Sequence, residues 1–145
     1  INYINFRISK KWAFNKFIFY STMCIQTASS DIMLFPLFFT FNKLTYKNKI
    51  SENISINASL ISRIFTQYDQ PNFSPLLDIF YNQSQVMSNF RPFISSDVHL
   101  NMKNFSFGLI FDNVHSLFFE DSYIISNYYH INPVIRLSIK WDLFN

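Results

Sequence analysis

The sequence predicts an α+β chain: two central helices followed by short antiparallel strands, with an extended N-terminal segment, the whole not expected to be an autonomous domain. Three observations carry this. Two central segments place apolar residues at helical spacing between prolines, the stretch after Pro92 alternates apolar with polar residues, and the first 49 residues interleave basic with aromatic side chains. The expected division is a basic, aromatic-rich extension over residues 1–49 and a helical, then strand-rich, packing region over residues 50–145.

The extension contains NYINFRISKKWAFNKFIFY. Arg7, Lys10, Lys11 and Lys16 are placed to reach phosphates while Tyr3, Phe6, Trp12 and Phe14 pack against ribose, bases or protein. The same stretch reads equally well as an amphipathic segment with a solvated basic edge. Up to Lys49 there are seven basic residues and one acid, Asp31, whereas the remainder has five basic and eight acidic residues. Two such unequal parts are expected to face different surroundings, one of them polyanionic. From Phe17 to Phe41 the chain is apolar but broken by Gln26, Ser29, Ser30, Asp31 and Pro36. A spanning helix needs roughly 20 apolar residues, and a carboxylate at its centre costs about 2.5–3.5 kcal/mol, so no membrane-spanning helix is expected there.

In the central region Ile54, Ala58 or Ile61, and Phe65 fall at helical spacing, with Ser51 and Asn53 as caps, which predicts a helix from Glu52 to Tyr68 ended by Pro71. Pro75 in a first-turn position, followed by Leu76, Leu77, Ile79, Phe80 and Met87, predicts a second helix to Phe90, closed by Pro92. Then the period changes. Phe105, Phe107, Leu109 and Phe111 share one side of a strand, with Asp112-Asn113 as a turn before VHSLFF. In the tail, Ile135, Leu137 and Ile139 alternate with Arg136, Ser138 and Lys140 as a half-exposed strand.

With 49% hydrophobic residues the chain packs somewhere, and it does so with 19 Phe and 8 Tyr against one Gly. Residues read from AT-rich codons make up about half of it, which points to an AT-rich genome and, by extension, to an organelle; Ile1 fits either a fragment or an unconventional start codon. The expected location is the mitochondrial matrix, with the gene in the mitochondrial genome and no presequence. Five Asn-x-Ser sequons, at Asn53, Asn57, Asn72, Asn82 and Asn104, are expected by chance in a chain so rich in Asn and Ser.

Chemistry is mostly excluded. One glycine, Gly108, rules out a P-loop, a dinucleotide fingerprint and a nucleophile elbow, each of which needs several positions without a Cβ. Cys24 stands alone and reads as a buried or bystander thiol, not half of a disulfide or redox pair. His99, His115 and His130 lack metal-ligand spacing, Glu120-Asp121 reads as a solvated turn, and Ser116 beside His115 is no catalytic pair. No catalytic residue, cofactor or metal is nominated, and the chain is not expected to be an enzyme.

The tail INPVIRLSIKWDLF resembles the N-terminal signature of the universal ribosomal small-subunit protein three family. That signature has an Asn-Pro step, then Arg-Leu-Gly and a hydrophobic residue, then Trp-Asp or Trp-Asn, Ser and an aromatic pair. Asn132, Pro133, Arg136, Leu137, Trp141 and Asp142 stand in that order, although Ser138 replaces the glycine and the Trp-Asp step comes early. NMKNFSFGLIFDNVHSL is similar in turn to a stretch of the small-subunit protein two family. The resemblance implies a structural, rRNA-binding constituent of a mitochondrial ribosome's small subunit, the first piece of a split protein. Its partners would be ribosomal RNA, other ribosomal proteins and the remaining piece, and Arg136 and Lys140 would touch rRNA together with Arg7, Lys10, Lys11 and Lys16. The alternative expectation is an organelle-encoded accessory subunit of a respiratory complex or ATP synthase at the inner membrane, favoured by IMLFPLFFTF and the low basic content.

Overall fold

Ile54, Ile56, Leu60 and Ile64 recur in steps of two and four, and this period of two governs the whole molecule. A computed structural model describes residues 2–29, 35–69, 72–81, 92–118 and 132–142. They form seven long strands in one antiparallel meander: β1 (Tyr3–Phe14), β2 (Phe17–Ala28), β3 (Phe38–Ser51), β4 (Ile54–Phe65), β7 (Phe93–Met102), β8 (Phe105–Asp112) and β9 (Val134–Trp141), hydrogen-bonded in that order. Between β4 and β7, a separate two-stranded ribbon pairs β5 (Asn72–Ser74) with β6 (Ile79–Tyr81). The only helical turn among the described residues is a short 3-10 turn, Val114–Leu117, and no described helix is long and apolar enough to cross a membrane.

The α+β expectation is therefore corrected to an all-antiparallel β architecture. Strand β4 occupies the stretch predicted as the first helix. The reason is arithmetic. Residues four apart, such as Ile54 and Ala58, lie on one side of a helix and equally on one side of a strand, so that spacing cannot tell the two periods apart. Ile56 and Leu60, two residues on from each, decide for the strand, as does the β-branched content of the segment. The described part of the second predicted helix contains β6 and the turn around Asp78, whose φ is 51°; residues 82–90 lie outside the described residues. The extended N-terminal segment is the regular hairpin β1–β2. After Pro92, β8 and β9 coincide with the alternation read from the sequence.

The two ends of the sheet differ. At one end β1–β2, β3–β4 and β7–β8 are joined by the two-residue turns Asn15-Lys16, Glu52-Asn53 and Lys103-Asn104. Asn15 takes the left-handed conformation, φ 49°, at the low cost characteristic of asparagine. Each turn is tied to the next strand: the amides of Lys47, Lys103 and Asp142 donate to the carbonyls of Lys16, Asn53 and Asn104 at 2.7, 3.0 and 2.9 Å. At the other end the connections are long, over residues 29–37, 66–92 and 113–133. Strand β3 bulges between Lys49 and Ser51, where the extra residue, Ile50, has no register partner on β4.

At the long-loop end His115 is fully buried, its ring 4.5 Å from that of Phe93. The Ile94 amide donates to His115 Nδ1 at 3.3 Å, so the neutral ring carries its proton on Nε2, which has no partner among the described residues. Burial pushes the imidazole below its ordinary value. The folded state thus binds fewer protons than the unfolded one. His115 contributes stability above about pH 6.5, and that contribution is lost as pH falls through the lowered folded value. Amide exchange at Ile94, corrected for intrinsic rates, is expected to accelerate between pH 7.5 and 5; His115→Leu, which has nothing to protonate, should flatten that profile. An unchanged profile would sink this assignment.

Candidate functional site

The register assigns every strand residue to one of two faces. One face carries Phe6 and Ile8 on β1, Met23 and Ile25 on β2, Leu44 on β3 and Leu60 on β4. It continues through Val98 and Leu100 on β7, Phe107 and Leu109 on β8, and Leu137 and Ile139 on β9. Lys10 is the single charged strand residue on this face. It leans over the Trp12 ring, 5.4 Å from the centroid, and Trp12 stacks on Phe19. The polar residues on this face satisfy one another: Ser21 Oγ donates to Asn42 Oδ1 at 2.7 Å and Asn42 Nδ2 to Thr40 Oγ1 at 2.6 Å.

Nothing in the described structure covers this apolar face. Ile4 is 67% exposed, Leu137 60% and Trp141 69%. In water such a surface exceeds what a soluble monomer leaves bare. Both tryptophans, Trp12 and Trp141, stand on it near the ends of β1 and β9 on the tight-turn side.

The opposite face carries the polar and charged residues, joined toward the long-loop end by Phe39, Phe41, Phe65 and Phe93. Tyr3, Asn5, Cys24 and Gln26 form one hydrogen-bonded group, in which Asn5 Nδ2 donates to Tyr3 Oη at 2.8 Å, Gln26 Oε1 at 3.2 Å and Cys24 Sγ at 3.2 Å. The Ser9 and Thr22 hydroxyls share a 2.8 Å bond, and Thr22 Oγ1 donates to the Tyr20 oxygen at 2.9 Å. Ser106 Oγ donates to Asn101 Oδ1 at 2.8 Å. The lone thiol of Cys24 is buried within the first of these groups. Gly108 also faces this way, and a Cβ there would overlap the His99 ring lying across it. The absent side chain lets His99 sit 3.7 Å from Asp97. Toward the tight turns this face opens into a hollow of about 820 Å³ lined by Lys47, Lys49, Asn57, Asn101, Ser106 and Lys140.

Of the residues nominated from sequence, Arg7, Lys11, Arg136 and Lys140 lie on the polar face, Lys16 lies in the first tight turn and Lys10 on the apolar face, so the six do not converge. Arg136 Nε donates to Asp112 Oδ2 at 2.6 Å, and Lys140 pairs with Asp142 at 3.2 Å. The tail motif is split by its strand: Arg136 points to the polar side with Lys140, Leu137 and Trp141 to the apolar side. The Asn132 carbonyl accepts from Asn113 Nδ2 at 3.4 Å, Pro133 directly precedes β9, and Asp142 directly follows it. Lys43, Lys47, Lys49 and Arg63, all on the polar face, were not nominated from sequence. For the three lysines the signal was present as alternation in FTFNKLTYKNK, where each stands two or four residues from the next. Among the described residues there is no cluster of His, Cys, Asp and Glu able to hold a metal.

Compared with known proteins, the sequence matches over residues 1–145 a family model described as "putative porin". No curated protein and no solved structure matches it significantly. The family match overturns the ribosomal reading, both the resemblance to the small-subunit protein three family and the role in translation drawn from it. The resemblance rested on the short tail from Asn132 to Phe144. An alternating strand rich in Ile, Leu, Arg and Lys reproduces such a signature for reasons of its own.

Proposed function

The chain belongs to the putative-porin family, and on that premise we propose that its sheet is a section of the wall of a membrane-spanning β-barrel, through which small polar solutes diffuse passively across an outer membrane. The observation that carries this reading is the division of the faces: one apolar, exposed and nearly without charge, the other polar and charged. In a bilayer that division is the stable arrangement, because acyl chains replace water against Phe, Ile and Leu while the charges stay hydrated on the far side.

The dimensions agree with it. A strand of 12 residues such as β1 or β4 runs about 40 Å at about 3.3 Å per residue, and crosses about 28 Å of depth at a tilt of about 45°. Short turns at one end and long connections at the other are the usual asymmetry of such barrels, and tryptophans at a strand end suit the interface. A wall in lipid must leave no backbone group unpaired. Strands β1 and β9 run in the same direction, both toward the tight-turn end, so they cannot close the sheet on each other as an antiparallel pair. An odd number of additional strands between them gives closure and an even total. Passive diffusion needs no catalyst and no cofactor, and the proposed role is not enzymatic.

Spin labels provide the test. In a Cys24→Ser background, single cysteines replacing Ile8 or Leu137 should report high collision rates with oxygen in reconstituted vesicles. Those replacing Ser9 or Ser138, one residue on, should report high rates with a water-soluble nickel complex. Equal accessibility at the paired positions would defeat the proposal.

A further inference from the structure

We infer that the pore bounded by this sheet prefers small anions, and that the polar face of β1–β4 is the surface along which they pass; the inference rests on the porin reading above. The polar face of these four strands carries Arg7, Lys11, Lys43, Lys47, Lys49 and Arg63 and no carboxylate. None of the six has an ion-pair partner among the described residues. The polar face of β7–β9 is different. It carries two carboxylates, Asp112 paired with Arg136 and Asp97 beside His99, so its charges nearly balance where those of β1–β4 do not.

Spacing turns these cations into a continuous field. Lys43, Lys47 and Lys49 stand on one side of β3 at intervals of four and two residues, about 13 and 7 Å apart. Lys11 lies two strands from Lys43 in the same register row, with Tyr20 between them, about 10 Å away. These separations are comparable to the Debye length of about 8–10 Å, so the potentials of neighbouring cations overlap. Several weak sites in a row allow an anion to enter and to leave, which a single tight site does not. At the tight-turn end the lane opens into the hollow, lined by Lys47, Lys49, Lys103 and Lys140 against Glu52 and Asp142, the last paired with Lys140. Among the described residues none of the six lysines and arginines has an ion-pair partner, and they do not face lipid, since the face that carries them lies opposite the exposed apolar one.

Even one kT of positive potential enriches a monovalent anion about 2.7-fold and depletes a monovalent cation equally, a ratio of about 7. The full chain, reconstituted in planar bilayers under a tenfold KCl gradient, should therefore give a reversal potential corresponding to a chloride-to-potassium permeability ratio of about 3–7 at low salt, falling as ionic strength rises. Lys43→Glu/Lys47→Glu/Lys49→Glu should lower the ratio below about 1, the corresponding glutamine variant should take it part of the way, and Lys10→Gln on the apolar face should leave it unchanged. Wild-type conductance that prefers potassium, or shows no preference, overturns the inference and leaves the pore standing. Absence of any conductance overturns the pore and the inference with it. The wild-type measurement decides even if the triple variant does not fold.

Discussion

Leu60→Arg is expected to destabilise the bilayer-inserted protein by about 2–4 kcal/mol, the cost of an arginine near the midplane of a lipid-facing strand. Leu60 stands near the middle of β4, on the apolar face between Leu44 and Ser96, and is 51% exposed. The exposure makes the prediction discriminating. If this face met water, replacing a half-exposed leucine by arginine would change stability by no more than about 0.5 kcal/mol. If it meets acyl chains, the guanidinium must be dragged from water or drawn to an interface by bending the membrane around it. Asn57→Arg, three residues earlier on the polar face, should be close to neutral in the same background. Unfolding by urea from phospholipid vesicles, followed by tryptophan fluorescence from Trp12 and Trp141, measures both variants; equal midpoints would reject a lipid-facing sheet.

Ser59→Pro should prevent insertion or folding altogether. Strand β4 is paired on both sides, Ser59 opposing Thr45 on β3 and Asp97 on β7. Proline removes an amide donor from the interior of this ladder and fixes a φ unsuited to a central strand. In water a freed carbonyl on the neighbouring strand would find another donor. Inside a bilayer no donor is available, and each unsatisfied backbone group costs several kcal/mol. The loss therefore exceeds what a protein of ordinary stability tolerates. Ser59→Ala is the matched control. It removes only the contact from Thr45 Oγ1 at 3.4 Å and should cost no more than about 1 kcal/mol. The electrophoretic mobility shift between unheated and boiled samples separates the two: it should vanish for the proline variant and persist for alanine.

The parts of the fold legible in the sequence were those where period two stood without competition. The tail from Val134 to Trp141 and the run from Phe105 to Asp112 alternate cleanly and are strands. β4 was misread because its apolar residues also fit steps of four, and because Ser51, just before the two-residue turn Glu52-Asn53, and Asn53 within it resemble helix caps. A cap and a hairpin turn draw on the same small polar residues for the same reason, namely that their side chains satisfy backbone donors locally. In β1 and β2, Lys10 and Ser21 sit on the apolar face directly opposite each other, and that interruption disguises the alternation in both strands at once.

The charge signal was legible in amount but not in direction. An excess of cations in the first 49 residues was apparent from composition, and its reading as an RNA-binding extension assumed that they converge. Strand geometry separates them, sending Lys10 to one side and Lys11 to the other, and joins Arg7 and Lys11 to Lys43, Lys47 and Arg63 from strands not adjacent in sequence.

By itself the sequence determined that the chain is rich in aromatic and β-branched residues, that one glycine excludes the common phosphate-binding loops, and that its cations crowd toward one end. Only the tertiary structure decided that one face of all seven strands is apolar, exposed and almost without charge, while the other gathers every described strand cation but Lys10. The reason is physical: alternation fixes which residues of a single strand lie together, whereas the face on which seven strands agree depends on the register between them, and register is set by hydrogen bonds between residues distant in sequence.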